Sequence, residues 1–567
     1  MMFCRRKNKI FWAISLLIII FMVLCEYQPS SEHEIADKSQ VLTFSKEPGF
    51  YEEEFELEIN TAFGTIYYTL DGTLPDRNSL KYEKPLLITD ATTNENRYSM
   101  ITDVSAGFYS EEIEKFSDNS SGYLLPDYKI DKATIVRAVA YNETGQHSEI
   151  KTAAYFVGFS QKDGYEGMNI LSIVTEPSNL FDYETGIYVT GKGYDDYVKE
   201  YRNRDEFYWK EEFWSLWGAN YRNRGIKWER KASCQFFDSS GKLVCDQECG
   251  IRIHGESSRG YNPKSLNIYA REEYDGNKFF QEDFWGTGYY ASAAILSQGG
   301  NDVKTKAKDF LVSEAIKDLD VATMNYEPYV LFLDGEYWGW YWLNEKYNAD
   351  YLEHRYHVDK DNIIMIKNGQ LEEGEEEDYL YFQKMIEFCS QSDVTNNENY
   401  GKVCEMIDIE SYMDYYAVML YVGRHGDWPD SNYALWRVKK KENSPYGDSK
   451  WRWMVFDLNS PGFEVGFDSL EYVMENDPMF KNLMTNDNFR TQLFLKIEEL
   501  ADTIFSFETW NKRIDKYQDF INDPMINNNK RFFGDDSLAD FNNEIEILKL
   551  FWAERKDFLM PALNDYK

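Results

Sequence analysis

The residues best placed to do chemistry stand in two short blocks. The first is Arg424-His425-Gly426-Asp427-Trp428-Pro429-Asp430-Ser431-Asn432-Tyr433, and the second is Trp451 to Asn459, WRWMVFDLN. Asn432 follows Asp427 by five residues, and Asp457 ends an apolar strand. Phosphoryl transfer from magnesium-bound ATP needs such a set. One carboxylate orients the attacking hydroxyl, while an amide and a second carboxylate hold the metal that neutralises the phosphates. Asp427 suits the first role, and Asn432 and Asp457 suit the others as metal ligands. Gly-Asp-x-Pro-Asp-Ser-Asn is also good turn chemistry, so the first block alone reads equally as a surface turn. The strand ending in Asp457 favours the chemical reading.

Such groups need a large scaffold. At 567 residues the chain can hold several domains and bury a sizeable core. Its 17% aromatic content argues against disorder. The formal net charge of -37 repels nucleic acid, and it repels anionic lipid everywhere but at the N-terminus. It would attract a Lys/Arg-rich protein partner, although acidity also serves solubility alone.

The N-terminus has the layout of an export signal. Arg5, Arg6, Lys7 and Lys9 precede an uncharged run from Ile10 to Cys25, ended by Glu26. As a helix that run is about 24 Å long, against a hydrocarbon core of ~30 Å. Residues 1–25 therefore read as a signal peptide or a marginal anchor, with the rest extracytoplasmic, secreted or held at the cell surface. Met22-Val23-Leu24-Cys25 resembles a lipoprotein cleavage box, but Leu24 is larger than the residue such boxes carry. Residues 26–40 are polar and read as a tether. Five later cysteines, Cys234, Cys245, Cys249, Cys389 and Cys404, are odd in number. They fit a local disulfide of Cys234 with Cys245 or Cys249, or buried free thiols. Cys245-x3-Cys249 lacks neighbours to complete a zinc site.

Residues 41–158 show short alternating strands between turn signals, as in Thr65 to Leu70 before Asp71-Gly72 and in Thr134 to Tyr141. That pattern predicts a small β-sandwich. Glu47-Pro48-Gly49-Phe50-Tyr51, the run Tyr67 to Pro75 (YYTLDGTLP) and Val136 to Ala140 resemble the chitobiase/β-hexosaminidase C-terminal-type module. The resemblance implies an immunoglobulin-like accessory domain, able to meet a cell-wall or surface glycan, and not a glycosidase site. Residues 94–121 read as a long inserted loop.

From Gly167 the pattern changes. Asn169 to Val174 is a continuous apolar strand, which predicts burial on both faces. Gly250 to Gly260 and Pro263 to Tyr269 read as strand, Gly/Ser-rich loop, strand. Backbone N–H groups and cationic heads converge in such loops, so Arg259 or Lys264 could hold phosphates, although an ordinary basic hairpin has the same composition. Lys304 to Leu319 reads as an amphipathic helix with Phe310, Leu311, Ala315 and Ile316 inward. Helices are also predicted at Ile409 to Val422, Phe489 to Phe505, and from Trp510 onward.

Several ordered blocks resemble one family. Arg252-x-His254-Gly255-x-Ser257-Ser258-Arg259, Pro263-Lys264-Ser265-Leu266, Tyr329 to Tyr341 with Glu345, and the Asp427 and Asp457 blocks occur together. Together they look like the spore coat protein H (CotH) kinase family, over residues 167–567. The resemblance implies an α+β atypical protein-kinase-like domain behind the immunoglobulin-like sandwich. It implies ATP and Mg²⁺ as cofactors and transfer to Ser/Thr hydroxyls of a protein. Asp427 would be the catalytic Asp and Asp457 a metal ligand. His425-x-Asp427-x4-Asn432 fits the H-R-D-x4-N template of protein kinases with Gly426 in place of Arg, and Asp457-Leu458-Asn459 stands where D-F-G would. Glu345 would orient the phosphate-binding Lys, or simply pair with Lys346, and Trp451 would stack on adenine or sit in the core. A binding protein that keeps the fold as a cell-surface scaffold is the alternative.

Overall fold

A computed structural model describes residues 42–105, 124–201, 218–459, 462–564 and 566. The signal or anchor at 1–25, the tether at 26–40 and most of the loop expected at 94–121 lie outside these residues. No helix of the described residues is long and apolar enough to cross a membrane.

The N-terminal region is β-rich. A five-stranded sheet runs in the order Gly49–Tyr51, Lys151–Val157, Thr134–Tyr141, Thr65–Thr69 and Leu80–Lys81. Two short pairs, Thr43–Phe44 with Ile59–Asn60 and Phe55–Leu57 with Leu86–Ile88, complete it. Alternation along these strands puts Leu57, Ile59, Val136, Ala138 and Tyr155 into one small core.

Seven strands then close a barrel. In order around it they are Asn169–Val174, Arg230–Phe237, Leu243–Ile253, Leu266–Ala270, Ala293–Ser297, Glu336–Glu345 and Tyr326–Leu333. The ring closes where Asn169–Val174 pairs in parallel with Tyr326–Leu333; the other pairs are antiparallel. All ten residues of Glu336–Glu345 are buried, which explains the aromatic and apolar run from Tyr337 to Leu343.

The N-terminal region is built onto this barrel. The Asp334-Gly335 turn reaches into it: Ala133 N–H donates to Gly335 O at 2.8 Å, and Tyr337 N–H to Asp131 O at 2.9 Å. Glu336 accepts the Ser99 amide at 2.7 Å. Phe156 meets Phe332 edge-on at 5.0 Å, so Ala154 and Phe156 share a core with the barrel.

After the barrel comes a sheet ordered Gln370–Glu373, Ile363–Lys367, Ala434–Val438 and Arg452–Met454, followed by a helical C-terminal region. Its central helix, Ile409–Val422, starts under an Asp408 cap and ends at Gly423, whose φ of 70° suits glycine. The helix is apolar nearly all round and is buried accordingly. The long helices Phe507–Phe533 and Ala539–Asn564 pack through stacked Trp510 and Trp552, 3.7 Å apart. The helix expected over 304–319 is shorter, Lys308–Ala315, because Asp302 caps the Ala307 and Lys308 amides. All five cysteines in the described residues are free thiols, four of them buried, so the free-thiol alternative is the one observed.

Candidate active site

A cleft of about 90 Å³ opens between the barrel, the four-stranded sheet and the 456–459 segment. Its polar lining includes His254, Asp302, Lys306, Asp309, Lys367, Asp457 and Asn459. Pockets that swallow a whole small molecule run to ~300–1,000 Å³. This one has room for a cation and phosphate oxygens, and a nucleoside would extend outside it.

Asp457 follows the strand Arg452–Met454 and has a φ of 60°. Left-handed backbone is uncommon off glycine, though Asp and Asn tolerate it best, and it persists where surroundings hold it. Here the holding group is Asp309, at the start of Lys308–Ala315. Asp309 accepts the Leu458 amide through Oδ1 and Asn459 Nδ2 through Oδ2, the latter at 2.9 Å. Asn459 Nδ2 also lies 3.1 Å from Asp457 Oδ1. Burial, and then the Asp457 charge, push the Asp309 carboxyl up to about 7. Burial also raises Asp457, against the opposing pull of Arg424 and Lys367.

Cationic groups also reach this turn. Lys367 ends its strand with its ammonium 4.5 Å from the Phe456 ring centroid, and burial lowers its pKa. Arg424, almost fully buried, brings Nη2 to 3.7 Å from Asp457 Oδ2. Burial and the ammonium groups of Lys346 and Lys367 hold His254 well below the usual imidazole range. The cleft thus has an anionic and a cationic side. Hard carboxylate and amide oxygens suit Mg²⁺, and ammonium and guanidinium groups suit phosphate. The residues present therefore fit a magnesium–phosphate ligand.

Asp427 stands exposed on the rim, close enough for its charge to act on Asp457. Asn432, with a φ of 54°, brings Nδ2 to 3.4 Å from Asp427 Oδ2. The loop between them is pinned from below. Trp428 is buried with Nε1 donating to the Tyr415 hydroxyl at 3.0 Å, and Tyr472 donates to Gly426 O at 3.0 Å. A buried aromatic of this size stabilises its surroundings by roughly 3–5 kcal/mol.

Over residues 251–559, more than half of the chain, the sequence matches the family model described as CotH kinase protein. The chain belongs to the CotH kinase family. A second model, described as Fn3 associated, matches residues 55–155, the stretch that resembles a chitobiase-type module. No curated protein matches the chain.

The structure of this CotH kinase family member separates the residues expected at the site. Asp457 lines the cleft, Asp427 stands outside the lining but near enough for its charge to reach Asp457, and Asn432 contacts Asp427. The structure places the four expected cofactor contacts elsewhere. Lys264 is fully buried, with Nζ donating to Arg259 O at 2.8 Å and Tyr261 O at 3.3 Å and lying 3.9 Å from the Tyr221 ring centroid. An ammonium so enclosed offers nothing to a phosphate. Glu345 orients no lysine among the described residues: its carboxylate accepts the Asn325 amide at 2.8 Å and Asn325 Nδ2 at 3.1 Å. Trp451 has no exposed surface and meets the Phe382 ring edge-on, so no face is open to adenine. Arg259 is buried and shapes the loop, donating to Gly255 O at 2.7 Å and Tyr221 O at 3.0 Å. Gly255 is needed there, because its φ is 106° and a Cβ would come within 2.2 Å of Ser258 Oγ. Asp309 and Lys367 are the residues that sequence reasoning missed, and Arg424 was named there with no role of its own.

Proposed function

We propose that this protein is an exported atypical protein kinase that transfers the ATP γ-phosphate to Ser or Thr hydroxyls of a protein. In this reading the barrel and the helical region are the two lobes of an α+β kinase-like fold, behind an immunoglobulin-like accessory domain. The observation that carries it is Asp457 in a cleft it shares with Lys367, with Arg424 paired to Asp457 and the Asp427–Asn432 pair near enough for the Asp427 charge to reach it. Asp457 would hold Mg²⁺ with Asn432, and the bound metal would neutralise phosphate oxygens. Lys367 would hold the phosphates from the other side. Asp427 would orient the acceptor hydroxyl and take its proton as the phosphorus–oxygen bond to ADP breaks and the new ester forms. Its exposure on the rim suits an acceptor as large as a protein. The acidic surface favours a basic acceptor, and the Arg5 to Cys25 layout favours export.

The test is transfer from γ-labelled ATP and Mg²⁺ to a Lys/Arg-rich protein, with phosphoamino-acid analysis. Label on Ser or Thr, lost with Asp427→Asn, is expected. No label from a folded wild-type protein, on the acceptor or on itself, would point to a scaffold that keeps only the fold.

A further inference from the structure

Arg555 has no exposed surface and sits in the last long helix, Ala539–Asn564. Its guanidinium uses all five of its N–H donors. Nε donates to Tyr421 O at 2.8 Å. Nη1 donates to Val465 O at 2.9 Å and Phe467 O at 2.7 Å. Nη2 donates to Leu420 O at 2.8 Å and Ser469 Oγ at 2.9 Å. The acceptors are four carbonyls and one hydroxyl, and two of the carbonyls lie in the last turn of Ile409–Val422, where the helix dipole favours a cation.

These acceptors belong to two segments. Leu420 and Tyr421 lie one turn or less before Gly423 and the loop that carries Arg424 and Asp427. Val465, Phe467 and Ser469 follow the Asp457 block in the chain. The second segment backs the first: Phe463 N–H donates to Val422 O at 2.8 Å, Ser469 Oγ to Leu420 O at 2.6 Å, and Phe467 stacks on His425 at 4.1 Å. Arg555 ties both to a third element, distant in sequence.

We propose that Arg555 is a positioning residue that sets the Asp427 loop against the segment following Asp457. The proposal rests on the phosphoryl-transfer reading for its kinetic consequence. Arg555 lies away from the cleft-lining residues, while Asp309 braces the Asp457 turn independently. Loss of the Arg555 clamp should therefore move Asp427, with Arg424 and Asn432 of the same loop, more than the braced Asp457 turn. A lysine carries the same charge but only three donors and no planar fork, so it can serve at most three of the five acceptors.

The test compares wild type with Arg555→Lys well below the melting temperature of either. A misplacement near 1 Å can lower turnover about 100-fold. A loss in kcat of about 10- to 100-fold is expected, larger than the accompanying rise in KM for ATP. Hydrogen exchange on the same proteins without substrate should show residues 423–432 and 462–469 losing protection together. A lower Tm with unchanged kcat and unchanged protection in both segments would overturn the proposal. If Arg555→Lys does not fold, Ser469→Ala removes one acceptor and should shift both readouts the same way by a smaller amount. Unchanged readouts in that variant would also overturn it. If wild type transfers no phosphate, the kinase reading fails separately, and the exchange result alone decides the role of Arg555.

Discussion

Asp309 and Asp457 are joined by one amide: Asn459 Nδ2 lies 2.9 Å from an oxygen of the first and 3.1 Å from an oxygen of the second. A helix start, Lys308–Ala315, is thereby tied to the turn that carries the proposed metal ligand. Asp457 keeps its left-handed backbone within this contact and the Leu458 amide bond.

Asp309→Ala should loosen that turn. Calorimetry is expected to show Mg²⁺-dependent ATP affinity about tenfold weaker, which is about 1.4 kcal/mol. Asp309→Asn keeps an acceptor oxygen and should lose less. Equal affinity in all three proteins would show that the brace does not matter.

Lys367 is the cation we assign to the phosphates. Lys367→Met should weaken ATP binding at least about tenfold, and Lys367→Arg should not fully restore it, because a forked guanidinium does not fit where an ammonium packs on Phe456. Competition against a fluorescent ATP analogue reads both. Unchanged binding in Lys367→Met would move the phosphates elsewhere in the cleft.

Asp427 stands on the rim and not among the cleft-lining residues. Asp427→Asn should therefore separate binding from chemistry. Transfer should fall by a factor on the order of 100 to 10,000, the usual range for a lost general base, with ATP affinity changed less than about threefold. A parallel loss of both would place Asp427 in nucleotide binding instead.

Asp334 gives a pH signature far from the cleft, where the barrel meets the N-terminal region. Its Oδ1 accepts the Thr175 amide at 2.8 Å, while Oδ2 is buried with no hydrogen-bond partner among the described residues. Burial pushes the carboxyl up to about 8, with Glu176 and Asp71 adding to the rise. Between the ordinary aspartate range and about 8, the folded protein keeps a proton that the unfolded chain releases. Stability must therefore fall as pH rises through that window. Asp334→Asn carries no such proton. Its Tm should match wild type near pH 4 and exceed it by roughly several degrees at pH 9. Parallel melting curves across that range would contradict the account.

The candidate site was legible in part, where it rests on residue type and short spacing. Asp457 lines the cleft and Asn432 meets Asp427 because one strand end and one loop supply them, and both are local features. Asp309 was hidden, since an acidic residue in a helix's first turn reads as a partner of the helix dipole. Lys367 was hidden for another reason: it closes the strand IIMIK, and only long-range sheet pairing aims it at Asp457. Lys264 misled because Gly, Ser and Lys near a turn suit a phosphate cradle, while its actual acceptors are carbonyls of its own loop. Trp451 followed the commoner course for an aromatic in an apolar strand and went into the core. The barrel was not legible, because its closure depends on Asn169–Val174 meeting Tyr326–Leu333 across a long stretch of chain.

Calorimetric titration of the folded protein with ATP and Mg²⁺, beside Asp457→Ala, tests the central claim most directly. Binding that requires the metal and disappears in the variant is the predicted result. A folded wild-type protein that binds no ATP with or without Mg²⁺, or a variant that binds as wild type does, would contradict a magnesium–nucleotide site at Asp457.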